Sequence, residues 1–267
     1  MVESDDHLPR LLCLHGGGTS AMIFKIQTRR LQWALRSTFK FVFADGPFPS
    51  GAGPGVLPVF AGCEPYFRWL NPASQAPEQD QRRVRQALRK VMDDDGGEFV
   101  GVLGFSQGAR LTAGLLADQD ERNAADGMPN WKFGVMLCGS FPPLSLSLAR
   151  TPSTKPSQGV DEHGETREPE DDEIVHVPCV LVRGTLDPHS EKGRRLVKYF
   201  DPETAISMVF KMGHHLPGAA GDTTSDKGDT QKIVDAILKV YADHLPYEVL
   251  KAPKATAIEY GNGQLSA

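Results

Sequence analysis

The stretch Phe99-Val100-Gly101-Val102-Leu103-Gly104-Phe105-Ser106-Gln107-Gly108 decides how the rest of the chain is read. Phe99–Leu103 is a short apolar run, the length of a buried strand and too short for a helix. Gly104-Phe105-Ser106-Gln107-Gly108 follows directly, and Gln107–Asp118 then carries a helical pattern. A serine with glycine two residues to either side, placed between a strand and a helix, reads as a nucleophile elbow. The turn is so tight that side chains at the flanking positions would collide. The serine is forced to point its hydroxyl out of the sheet edge. The helix N-terminus behind it offers N–H groups to a developing oxyanion. Out of this context the five residues would be a glycine-rich turn with a solvated serine; the strand before and the helix after favour the elbow.

Working outward, the elbow sits inside an alternation of strands and helices. Strands are expected at Arg10–Leu14, Phe39–Phe43, Phe133–Cys138, Val177–Arg183 and Ala205–Phe210. Helices are expected at Ala21–Leu35, Glu78–Met92 and Asp229–His244, each with apolar residues near helical spacing. Gly46–Gly62 is so rich in Gly and Pro that it leaves no room for a regular element. The alternation implies an α/β fold with a mostly parallel central sheet and helices on both faces. One domain is expected over residues 1–250. It is interrupted by a polar excursion at about 150–173 that is too poor in large apolar residues to pack a core, and followed by a polar tail at 251–267.

Composition narrows the function classes. The chain has 267 residues, 40% apolar and 24% charged, which fits a globular protein and excludes collagen-like or wholly disordered classes. A net charge of -5 lacks the basic footprint of a nucleic-acid binder. The acidic N-terminus lacks the layout of a secretory signal, and no apolar run reaches membrane-spanning length, so a cytoplasmic protein without a membrane is expected. Cys13, Cys138 and Cys179 lie in apolar runs, Cys63 stands apart, and no C-x-x-C pair occurs. Buried free thiols in a reducing compartment are the expectation. His214 and His215 are neighbours rather than an i,i+4 pair, and Asp161-Glu162-His163-Gly164-Glu165 reads as solvated. No metal and no cofactor is expected.

A serine nucleophile needs a base, and the base an orienting acid. In elbow-bearing folds acid and base follow the serine in that order, each after a later strand. Asp187, in Gly184-Thr185-Leu186-Asp187-Pro188, follows the strand Val177–Arg183. His214, in Met212-Gly213-His214-His215-Leu216-Pro217, follows the strand Ala205–Phe210. Asp201 and Asp222 are rival acids, and neither immediately follows a strand. A G-H-x-x-P pattern selects His214 over His215, and His189 is a more distant rival. After the first strand, His15-Gly16-Gly17-Gly18 is placed to supply an oxyanion N–H. The backbone amides of Gly17 and Gln107 are assigned to that role. A phosphate loop is the alternative for Gly16–Gly18, but no G-K-[ST] follows.

These stretches together resemble the fungal serine hydrolase family of small α/β-hydrolases, which includes polyketide-releasing thioesterases. The resemblance is carried by Leu12–Thr28 (L-C-L-H-G-G-G-T-S-A-M-I-F-K-I-Q-T), Phe43–Pro47 (F-A-D-G-P), Tyr66–Leu70 (Y-F-R-W-L) and Gly104–Ala109 (G-F-S-Q-G-A). It continues through Cys138–Pro143 (C-G-S-F-P-P), Arg183–Pro188 (R-G-T-L-D-P) and Gly213–Pro217 (G-H-H-L-P). It implies an α/β-hydrolase fold with Ser106, Asp187 and His214 as nucleophile, acid and base. The excursion at Arg150–Glu173 departs from the family pattern in length and polarity.

The resemblance further implies an acyl thioester or ester substrate, foremost a polyketide chain on an acyl carrier protein, with a short-chain carboxylesterase as the alternative. The loop Gly46–Leu70 mixes aromatic and aliphatic residues with Gly and Pro, a composition that suits an acyl-pocket wall or a satellite cluster packing its own loop. Phe60, Tyr66, Trp69 and, from the C-G-S-F-P-P stretch, Phe141 are the substrate-binding candidates. The basic run Gln81–Lys90 is a candidate dock for an acidic carrier and otherwise a solvated helix face. A non-catalytic ligand-binding protein of the same fold is the rival class; an intact Ser–Asp–His set argues against it.

Overall fold

The computed structural model describes residues 7–71, 74–75, 77–119, 128–147, 169, 173–217 and 227–243. Six strands form one parallel sheet: β1 (Arg10–Leu14), β2 (Lys40–Ala44), β5 (Phe99–Phe105), β6 (Phe133–Leu137), β7 (Cys179–Gly184) and β8 (Ala205–Phe210). Their spatial order is β2-β1-β5-β6-β7-β8. A small antiparallel hairpin, β3 (Phe48–Ser50) with β4 (Tyr66–Arg68), stands apart from the sheet.

Alternating side chains of the strands build two cores. Leu12, Leu14 and Val102 pack on one face with α3 (Pro77–Asp95), α4 (Gln107–Ala117) and α5 (Ser190–Val197). Leu11, Cys13, Leu103 and Val135 pack on the other with α1 (Ala21–Gln27), α2 (Arg29–Leu35) and α6 (Lys227–Ala242). All seven residues of β5 are buried, which is why its sequence is almost unbroken apolar. At the open end of the sheet, Arg10 Nε and Lys40 Nζ meet the Asp95 carboxylate at 2.6 Å and 2.8 Å, tying the starts of β1 and β2 to the end of α3.

The strand order reverses between β1 and β5. β2 extends the sheet on one side and β6 on the other, so the loops leaving β1 and β5 diverge and open a crevice at their C-terminal ends. Ser106 and the loop His15–Gly18 both start at that crevice.

Three differences from the sequence reading have local causes. The helix expected over Ala21–Leu35 breaks at Thr28, whose hydroxyl donates to the Phe24 carbonyl at 2.7 Å and whose own Oγ1 accepts from Gln32 Nε2. The Gly/Pro-rich loop does contain regular structure: Phe48–Ser50 pairs with Tyr66–Arg68. Helix α5 carries only two buried residues, Gly193 and Leu196, and so shows little apolar periodicity. The expected polar excursion lies outside the described residues apart from residues 169 and 173, and the tail at 251–267 and Asp222 lie wholly outside them.

Candidate active site

Ser106 joins β5 to α4 with φ 53° and ψ -113°, a left-handed conformation that a serine adopts only under constraint. The constraint is backbone crowding. A Cβ on Gly104 would lie 2.3 Å from the Gly108 carbonyl oxygen, and one on Gly108 would lie 2.1 Å from the Leu14 carbonyl oxygen. The Ser106 N–H donates to the Leu137 carbonyl at 2.9 Å, which fastens the turn to β6.

The loops after β7 and β8 meet over this serine. His214 Nε2 lies 2.7 Å from Ser106 Oγ, and His214 Nδ1 lies 2.7 Å from Asp187 Oδ2. The other carboxylate oxygen, Oδ1, accepts the His189 N–H at 2.7 Å, so the acid is held on both sides. Asp187 is buried, whereas the His214 side chain keeps 23% of its surface. A carboxylate that can only accept forces the proton of a neutral His214 onto Nδ1, leaving Nε2 to accept from a hydroxyl. The three groups can therefore pass a proton from Ser106 to His214 while Asp187 steadies the resulting charge.

Two of the rival residues, His215 and Asp201, are engaged elsewhere. His215 Nδ1 lies 3.2 Å from the Leu216 carbonyl, and its Nε2 accepts the Gly213 N–H at 3.3 Å. Asp201 Oδ2 lies 2.8 Å from His176 Nδ1. His189 stands edge-on to the His214 ring, centroids 5.2 Å apart.

The loop after β1 is built differently. His15 is fully buried; its Nδ1 lies 2.7 Å from the Gly16 carbonyl, and its Nε2 accepts the Gly46 N–H at 3.0 Å. A carbonyl cannot donate, so the ring is neutral with its proton on Nδ1. Burial likewise pushes the His15 imidazole below its ordinary pKa. The Thr19 hydroxyl also donates to the Gly16 carbonyl, at 2.8 Å. Because the Gly16–Gly17 peptide is planar and trans, fixing that carbonyl fixes the Gly17 N–H in the opposite direction. Among the described residues neither the Gly17 nor the Gln107 N–H has a hydrogen-bond partner. Gly17 abuts the Gln107 carboxamide, which a Cβ on Gly17 would approach to 3.3 Å. The role of the His15 side chain was not apparent from the sequence, since Gly46 lies 31 residues away.

The substrate-binding candidates require correction. Trp69 is 1% exposed; its Nε1 donates to the His15 carbonyl at 2.9 Å, and its backbone N–H donates to Gln107 Oε1 at 2.6 Å. Tyr66 is buried against Ile23 and Val56, with its hydroxyl on the Phe60 carbonyl. Phe141 is buried, stacked on Tyr199 at 5.0 Å with the Arg195 guanidinium over its ring. These three side chains are consumed by packing, and only Phe60 keeps partial exposure. The exposed large apolar residues of the same loop are Leu57 and Val59, part of the apolar mixture that suggested an acyl-pocket wall.

Beneath the acid lies Cys138, buried and in a left-handed conformation with φ 51°. Its Sγ is 3.6 Å from the His215 carbonyl. Burial, and then the charge of Asp187, push its thiol pKa up, so the sulfur is neutral. Cys13, Cys138 and Cys179 are buried free thiols, and Cys63 is half-buried and free. No described helix is long and apolar enough to cross a membrane.

Comparison with known proteins bears on the fold and the family. The solved structure of Zea mays acyl-protein thioesterase 2 shares the fold, with a TM-score of 0.52 over 88% of this chain and 94% of that one, at 15% identity. The curated "Esterase FUS5" of Gibberella fujikuroi is 36% identical over 240 residues, covering 88% of each chain. "Esterase pigG" of Monascus ruber is 38% identical, covering 86% of this chain and 94% of the relative. "Thioesterase FSL2" of Gibberella zeae is 31% identical, covering 90% of this chain and 95% of the relative. The profile described as "Serine hydrolase (FSH1)" matches residues 4–225. With that span and those relatives, the chain belongs to the FSH1 serine hydrolase family.

Proposed function

We propose that the chain hydrolyses an acyl thioester or ester through an acyl-enzyme on Ser106. The observation that carries this reading is the continuous chain of contacts Ser106 Oγ–His214 Nε2 and His214 Nδ1–Asp187 Oδ2, each 2.7 Å, on a strained elbow. His214 takes the Ser106 proton as Oγ attacks the acyl carbonyl. The Gly17 and Gln107 N–H groups hold the oxyanion. His214 then protonates the leaving group and deprotonates the water that releases the acid. Asp187 keeps the imidazole in the Nδ1–H form and steadies its protonated state.

The preferred substrate is a polyketide acyl chain on a carrier protein. A relative named a thioesterase, among others named esterases, supports the class. The carbonyl carbon would sit at Ser106, with the acyl chain along the loop that carries the exposed Leu57 and Val59 and the half-exposed Phe60. That loop abuts the oxyanion strip through the Gly53 N–H, which donates to the Gly18 carbonyl at 2.9 Å. Arg83 and Arg89 are exposed on α3 and offer positive charge to an acidic carrier, while Arg82 and Lys90 are paired with Glu78 and Asp94 of the same helix. The names of the relatives equally suit a general carboxylesterase.

The test is a matched series of acyl lengths on p-nitrophenol and on pantetheine, with Ser106→Ala and a fluorophosphonate probe as controls. Covalent labelling at Ser106, absent in Ser106→Ala, is expected. Long oxygenated pantetheine thioesters should have far higher kcat/KM than p-nitrophenyl acetate, because remote contacts raise turnover. Equal efficiency on short simple esters overturns the polyketide reading in favour of the carboxylesterase. A chain that neither labels nor turns over is a binding protein.

A further inference from the structure

Cys138 Sγ, an Asp187 carboxylate oxygen and a His214 ring nitrogen all lie within 4.8 Å of one another. Among the described residues no other His, Cys, Asp or Glu side chains form such a trio. It is not an accident of exposed, mobile side chains. Cys138 and Asp187 are buried, the Cys138 N–H is fastened to the Val182 carbonyl at 2.8 Å, and Asp187 is fixed by the His189 N–H at 2.7 Å. The hydrolytic steps use the carboxylate and the imidazole, and the thiol, hydrogen-bonded to Asp187, takes no direct part in them.

We propose that this trio is an inhibitory binding site for a thiophilic divalent cation of the zinc type. Thiolate, imidazole and carboxylate are the three side-chain ligand classes that zinc takes, and a tetrahedral ion sets neighbouring ligand atoms about 3.3–3.7 Å apart. The present separations, 2.7 Å between His214 Nδ1 and Asp187 Oδ2 and up to 4.8 Å within the trio, bracket that spacing. The ion would lie on the Asp187 side of the imidazole, bound to Sγ, to one carboxylate oxygen and to Nδ1. His214, partly exposed, supplies the way in.

The chemistry balances without a redox partner. The ion displaces the thiol proton to solvent and forms the metal–sulfur bond. The proton on Nδ1 is replaced by the metal, and Nε2 acquires one, so a single proton is released per ion bound. A thiolate and a carboxylate then neutralise the two charges of the ion. Carrying a proton on Nε2, His214 can no longer accept from Ser106, and hydrolysis stops.

The inhibition half of this inference rests on His214 acting as base; the binding half does not. The experiment uses the full chain, reduced and stripped with a chelator, titrated with Zn2+ against p-nitrophenyl ester hydrolysis and with Cd2+ against the ultraviolet cadmium–thiolate band. Zinc should inhibit the wild type reversibly, with activity restored by chelator. Cys138→Ala, measured against its own metal-free rate, should raise the half-inhibitory zinc concentration more than about 100-fold, beyond what outer-sphere changes alone achieve. The cadmium band should be present in wild type and in Ser106→Ala, and absent in Cys138→Ala. If Cys138→Ala does not fold, Cys138→Ser serves, because a hydroxyl is a poor ligand for cadmium. Absence of the band in wild type, its loss in Cys63→Ala, or zinc inhibition unchanged in the Cys138 variant overturns the site. A chain that shows the band in wild type and Ser106→Ala but hydrolyses nothing keeps the metal site and refutes the hydrolase reading.

Discussion

The turn at Ser106 and the loop at His15–Thr19 face the same crevice, and they are held by opposite means. The turn is held by backbone crowding: Gly104 clears the Gly108 carbonyl inside the turn, and Gly108 clears the Leu14 carbonyl of the neighbouring strand. The loop is held by groups borrowed from elsewhere. Gly46 fixes the His15 ring, Trp69 fixes the His15 carbonyl, and the Phe67 carbonyl accepts the Gly18 N–H at 2.8 Å. A nucleophile needs one atom in a strained pose, which local sterics can dictate. An oxyanion site needs two amides from distant loops aimed at one point, which only long-range cross-links can arrange.

The largest effects should fall on the first region and its partners. His214→Ala is expected to lower kcat for a p-nitrophenyl ester by about 10^4-fold or more, with Ser106→Ala similar and the double variant little worse. His215→Ala should stay near wild type in the same assay. The reverse result would move the base to His215 and break the pairing of elbow and imidazole.

The next effect belongs to the loop. His15→Ala should lower kcat by about 10^2-fold, the size of losing one oxyanion donor, with KM little changed. Thr19→Val, which removes one of the two groups on the Gly16 carbonyl, should show a smaller loss. An unchanged kcat in both variants would mean that the loop holds its amide by backbone geometry alone, and the contrast with the elbow would disappear.

His15 also gives the loop a pH signature. Its folded pKa is depressed below the ordinary 6.5 by burial, so below that pH the unfolded chain binds a proton that the folded chain does not. Stability from this group is complete above about pH 6.5 and falls as pH drops towards the depressed value, by at most about 1.4 kcal/mol per pH unit. Denaturant melts between pH 7 and pH 5 should show this slope in wild type and a shallower one in His15→Gln. Identical slopes would place a charged imidazole in the fold.

The smallest effect sharpens the correction at Trp69. Trp69→Phe removes the indole N–H bond to the His15 carbonyl, worth about 1 kcal/mol, and also trims a fully buried ring. A fall in Tm of at least about 2–4 °C is expected. Preference for acyl length should be unchanged, because the ring is buried; a change in that preference would return Trp69 to the substrate wall.

How far the sequence could be read follows the same division. The parallel sheet, the elbow and the positions of Asp187 and His214 could be placed because each depends on a strand and the few residues after it. The hairpin Phe48–Ser50 with Tyr66–Arg68 was missed because three-residue strands carry no periodicity. Trp69, Tyr66 and Phe141 were misplaced because an aromatic residue in a Gly/Pro-rich loop looks the same whether it lines a pocket or fills a core. Only burial and partners separate the two. The His15 network was invisible because Gly46 contributes nothing but a backbone N–H, which no residue type announces.

The two hydrogen bonds donated by Trp69, from its indole to the His15 carbonyl and from its backbone N–H to Gln107 Oε1, have a consequence for anyone who would re-engineer the protein. The segment between β3 and β4 is not a detachable module. A loop transplanted from a relative to alter acyl preference would arrive with its own C-terminal anchor, and a mismatch there would disturb the His15 carbonyl and the Gln107 side chain together. On the proposed reading, in which this loop holds the acyl chain, selectivity and speed are geared together. A graft that carries residues 46–70 intact together with the position-107 side chain should turn that gear cleanly, whereas one that stops short of Trp69 should exchange a new substrate range for a slower enzyme.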